Sequence, residues 1–180
     1  MKKSDRISAL VGALPAAPAS ALDPHYTGYF TCFNAAQYYE AHDILEHLWL
    51  RCHDANALFY KALIQIAGAF VHLQKHHLHP GHPKHTTRLR PAARLFQLGV
   101  KNLAPFAPRH LQLDVAALSR SCTQLAEEII ATDYTRNPWQ PDHAPQLRLD
   151  EEIRNPNVEA ERSETPTGSG AIRNNAEENV

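Results

Sequence analysis

Between residues 23 and 131, apolar side chains recur every three or four positions, the period of an α-helix with one face turned inward. Asp23-Pro24 opens the pattern: a capping carboxylate is followed by a residue whose missing N–H costs nothing in a first helical turn. The spacing predicts a helix over Tyr26–Ala35, a tight turn near Ala36-Gln37 and a second helix over Tyr38–Arg51. In the second helix Ala41, Ile44, Leu45 and Leu48 form the core stripe, with Tyr38 one turn earlier. His42, Glu46 and Trp49 follow one edge of that stripe, and Glu40, Asp43 and His47 group on the other side, nearer solvent.

Asp54 is placed to cap a third helix running to about His77. Its run ALFYKALIQIAGAFVHLQ is apolar almost all round, which marks a central helix with neighbours on several sides. Gln65 and His72 interrupt it two turns apart, on one stripe. Pro80-Gly81 ends it. A fourth helix, from Lys84 or Thr87 to Leu103, turns Leu89, Ala93, Phe96 and Val100 inward, with Pro91 at a kink or in its first turn. Asp114 caps a fifth, through Ala131, with Val115, Leu118, Cys122, Leu125 and Ile129 on its buried stripe. The pattern predicts an all-α fold, a compact antiparallel bundle of about five helices, with a flexible leader over 1–22, a helical domain over 23–140 and a mostly disordered tail over 141–180.

Composition narrows the functional classes. The 18 basic and 19 acidic residues leave a formal net charge of -1, without the basic excess that nucleic acid or an anionic membrane surface attracts. Neither partner is expected. A protein or small-molecule partner is left open. No uninterrupted run approaches about 18 apolar residues, so no membrane-spanning helix is expected. Residues 1–21 loosely imitate a secretory signal, but Gly12, Pro15 and Pro18 break the short apolar stretch, and a leader is the simpler reading. Cys32, Cys52 and Cys122 are odd in number, far apart and form no CxxC pair, which favours a reduced, cytoplasmic protein over a disulfide framework.

The chemistry-bearing residues sit on the second and third helices. His42 and Glu46, four apart, project from one helix face and make a metal half-site. Helical bundles complete such sites from a facing helix. His72 is the candidate third ligand and Gln65 a hydrogen-bonding support. A divalent metal such as zinc, iron or manganese would suit that set. The competing reading is structural: a carboxylate beside a core stripe needs compensation, and His42 or His72 supplies it without any ion. His72, His76, His77, His79, His82 and His85 fall within fourteen residues, a run that takes up metals opportunistically yet reads more simply as a solvated helix end and loop. The sequence contains no GxGxxG, GxxxxGK[ST], GxSxG or HExxH motif.

Phe33-Asn34, Tyr38, Glu40-Ala41-His42, Leu45-Glu46 and Trp49, followed by Leu63-Ile64-Gln65 and His72, resemble the signature of the domain of unknown function 309 family. The resemblance spans about Tyr26 to Ala131. It implies a small bundle of about five helices with Glu40, His42, Glu46, Gln65 and His72 as characteristic polar positions. Asp43 stands where the family pattern has Glu, Ala36 and Ala62 replace glycines, and the histidine-rich loop replaces a short Gly-Asn turn. The family label carries no reaction. The residues therefore predict an uncharacterised helical domain in which a polar cluster of Glu40, His42, Glu46, Trp49, Gln65 and His72 orders the helices and could serve as a small-ligand or metal pocket. Two alternatives stand beside it: a metal-dependent enzyme using His42, Glu46 and His72 with Glu40 or Asp43 as base, and a tetratricopeptide-like interaction module.

Overall fold

The computed structural model describes residues 22–84 and 86–150, together with residues 9 and 12. The expected leader, apart from residues 9, 12 and 22, most of the expected tail, and His85 lie outside the described residues. Among the described residues the fold is helical, with five α-helices: α1 (Pro24–Asn34), α2 (Tyr38–Trp49), α3 (Asn56–Leu78), α4 (Leu89–Leu103) and α5 (Val115–Ala131).

The boundaries follow local chemistry. Asp23 caps α1 by accepting from the backbone N–H of His25 at 2.7 Å, with Pro24 at the first helical position. The helix ends in a Schellman motif: Ala36 donates to Phe33 O at 2.9 Å and Gln37 to Cys32 O at 2.9 Å. Ala36 takes the left-handed conformation there, φ 55°. The Asp54 carboxylate accepts from Asn56 N at 2.7 Å where α3 begins. A short 3-10 turn over Thr86–Arg88 leads into α4, whose first turn holds Pro91. Asp114 caps α5 through Ala117 N at 2.8 Å.

Helix α3 is the centre, packed against α2 on one side and α4 on the other, while α1 packs on α2 and α5 on α4. Phe70 joins the layers: its ring centroid lies 5.1 Å from those of Phe33 on α1, Tyr38 on α2 and Phe96 on α4. Gly99 lets α4 approach α3 closely, since a Cβ there would lie 2.8 Å from Ile66 Cγ1. By length and composition α3 is apolar enough to cross a membrane, which the uninterrupted-run criterion missed because Lys61, Gln65 and His72 punctuate it. Just over half of its most apolar stretch is buried in the fold, as befits a core helix.

Two features add to the helical plan. Arg109–His110 (β1) and Leu113–Asp114 (β2) pair as a minimal antiparallel hairpin, with Leu111 and Gln112 both at positive φ. Residues 141–150, at the head of the expected tail, lie against the helices. Asn34 donates to Leu147 O and accepts from Leu147 N, each at 2.8 Å, and Leu149 bridges to Leu113. Trp139 is buried, its indole N–H donating to the Tyr38 hydroxyl at 3.1 Å.

Candidate functional site

Helix α2 carries the densest group of candidate ligands. His42, Asp43 and Glu46 each present one donor atom, and the three lie within 4.8 Å of one another. The spacing i, i+1, i+4 puts His42 and Glu46 on adjacent turns of one face and Asp43 beside them. Asp43 Oδ1 lies 3.3 Å from His42 Nδ1. The Tyr39 ring is stacked near the imidazole, centroids 6.5 Å apart and 16° between planes, and Lys75 Nζ sits 5.7 Å over that same ring. An imidazole backed by an aromatic plane, one carboxylate touching it and a second one turn on form a compact donor set at the edge of α2.

Asp43 is the correction here. The helical wheel placed it with Glu40 and His47, nearer solvent, yet it is 2% exposed, the one buried charged residue among those described. A wheel measures angle from the apolar stripe. It does not register that α2 is covered on more than the stripe side. Asp43, not His72, is the third member of the donor set.

Gln65 and His72 share a stripe of α3 as expected, but their bonds run toward α4 and the turn before it. Gln65 Oε1 accepts from Asn102 Nδ2 at 2.8 Å. His72 Nδ1 lies 3.2 Å from the Arg88 guanidinium. Burial first, then the Arg88 and Lys75 charges, hold the His72 pKa below its ordinary value, which favours a neutral ring. Helix α3 meets both α2 and α4, and the sequence could not say which neighbour a given polar residue would face.

The remaining predicted positions are dispersed. Glu40 is half-buried near Cys32, whose thiol pKa is raised by burial and then by the Glu40 charge. Trp49 is half-buried and packs against the core. His76 lies 3.4 Å from Asn137, and the His77 ring meets Trp139 edge-on at 5.3 Å, so the first part of the histidine run is tied into the fold, while His79 and His82 are exposed.

Sequence reasoning missed a histidine pair. His25 Nε2 lies 3.2 Å from His47 Nδ1, the rings are stacked with centroids 5.1 Å apart, and Asp23 holds the other nitrogen of His25 at 3.0 Å. Because α1 and α2 are antiparallel, His25 near the start of one meets His47 near the end of the other. Two positions 22 apart give no local signal.

Residues 26–82 match the family described as Domain of unknown function (DUF309). The matched stretch holds α2, α3, all but the first two residues of α1 and all six predicted site residues, and it bears out the resemblance carried by the signature residues. It indicates an uncharacterised helical domain. No curated protein and no solved structure matches the chain.

Proposed function

We propose that this chain is a helical ligand-binding domain whose site is the His42–Asp43–Glu46 set on α2, and that the site takes a single divalent cation. The observation that carries the reading is the convergence of three chemically suitable donors within 4.8 Å. Ligand atoms around a first-row divalent ion sit about 2.0–2.2 Å from it, so neighbouring donors lie about 3–4 Å apart. The widest pair in the set must therefore close by about an ångström or more to hold an ion. One imidazole and two carboxylates, with no thiolate, suit zinc, manganese or iron(II) better than copper(I). A three-donor set leaves room for water or a ligand atom on the ion. Free thiols at Cys32, Cys52 and Cys122 support placing this domain in a reducing cytoplasm.

The test is metal analysis of untagged, dialysed protein by mass spectrometry, with calorimetric titration of zinc and manganese. One equivalent should bind, and binding should weaken at least tenfold in His42→Ala, Asp43→Asn and Glu46→Gln alike. A variant with His76, His77, His79, His82 and His85 replaced by Gln controls for opportunistic uptake and should keep the single site. Retained one-to-one binding in the three α2 variants would overturn the reading. So would loss of stability in those variants with no metal bound by the parent, which is the behaviour of a purely structural polar network.

A further inference from the structure

Apart from this donor set, a cavity of about 290 Å³ lies between the helices and residues 145–150. Its body is apolar: Phe33 and Phe70 form part of the wall, Leu118, Cys122 and Leu125 project from α5, and Leu147 closes it from the 145–150 segment. The Cys122 thiol is pushed up to about 12 by burial, so it enters the lining as a small neutral group. The volume falls near the lower end of ordinary ligand sites, roughly 300–1,000 Å³.

The closing segment is held at both ends. Asn34 binds both backbone groups of Leu147, Gln146 Nε2 donates to Asn34 O at 3.0 Å, and Asp150 N donates to Gln112 O at 2.7 Å. It is thus a fixed wall of the cavity.

Charge at the rim is unequal in availability. Two carboxylates line it, and both are engaged: Asp114 caps α5 at Ala117 N, 2.8 Å away, and Asp150 pairs with Arg109. Arg148 also lines the cavity, is exposed, and has no carboxylate within ion-pair reach among the described residues. The exposed Ser121 hydroxyl stands on the same rim. The uncommitted recognition groups are therefore one guanidinium and one hydroxyl above an apolar chamber. A guanidinium is shaped to receive a carboxylate in a two-pronged contact.

We propose that this cavity binds a free, unbranched aliphatic monocarboxylate, with the carboxylate at Arg148 and the chain between Leu118 and Leu147. None of His42, Asp43 and Glu46 lines it, so the inference stands independently of the cation site.

Calorimetric titration of the full chain with decanoate, below its micelle-forming concentration, tests this, alongside octanoate, decanol and decyltrimethylammonium. Decanoate should bind saturably at one to one and roughly fifteenfold tighter than octanoate, since each of its two further buried methylenes strengthens binding about fourfold. Arg148→Gln, at an exposed position, should weaken decanoate about tenfold and leave decanol unchanged. Ala117→Phe, which fills the chamber from α5, should abolish binding while circular dichroism confirms the fold. Should Ala117→Phe fail to fold, the Arg148→Gln comparison decides alone. The proposal is overturned if decanoate shows no saturable binding in the millimolar range, if the cationic decyl compound binds as tightly as decanoate, or if Arg148→Gln leaves decanoate affinity unchanged.

Discussion

Asn34 joins two parts of the chain 113 positions apart, satisfying both the N–H and the C=O of Leu147 with one amide. Replacing it by alanine strands those backbone groups in a partly buried place, which costs about 1–3 kcal/mol. Asn34→Ala should lower the urea midpoint accordingly and raise hydrogen exchange over residues 145–150. The histidines carry a second expectation. His47, His72, His76 and His110 all titrate below the ordinary imidazole value of 6.5, each chiefly because burial disfavours the charged ring. Their neutral forms are thus favoured by folding. The stability they contribute is complete above about pH 6.5 and is lost as pH falls from there through the depressed folded-state values. The urea midpoint should drop between pH 7.5 and pH 5, and His72→Gln should make that drop smaller. At this scale the sequence was partly legible. The i, i+4 pair His42 and Glu46 lies on one face as spacing requires, because a single helix fixes it. The third partner, Asp43 instead of His72, depends on which helix covers which face.

Elements were the more legible level, since their ends are set by neighbours in sequence. Asp23, Asp54 and Asp114 accept from backbone N–H groups at the starts of α1, α3 and α5, and the three carboxylates can be read directly from the chain. The hairpin gave no such signal. Leu111 and Gln112 both adopt positive φ, a conformation Asn and Gly adopt cheaply and Leu and Gln do not. Tertiary packing fixes that turn: the Tyr26 hydroxyl donates to Leu111 O at 3.0 Å from across the molecule. Ala36 is a related case. Ala36 holds the left-handed conformation, φ 55°, which glycine adopts without steric cost. Ala36→Gly should therefore stabilise the α1–α2 corner by about 1 kcal/mol, the left-handed penalty less the added chain entropy, seen as a higher urea midpoint with an unchanged slope.

Across the whole molecule, the stretch that matches the family is bound to the later part of the chain. Tyr26 reaches Leu111, Asn34 reaches Leu147, Tyr38 meets Trp139, and Gln65 meets Asn102. Every one of these pairs has one member inside residues 26–82 and one beyond. Helix α4 and Phe96 cover the side of α3 that α2 leaves bare. A fragment ending at residue 84 would keep the signature yet expose one flank of its longest helix to water. Such a piece should aggregate or populate a loosely packed state with helical circular dichroism, dye-accessible apolar surface and no sharp thermal transition. The recognisable motif is thus only the first part of a cooperative unit, and any trimmed version meant to isolate it must carry the chain through Asp150.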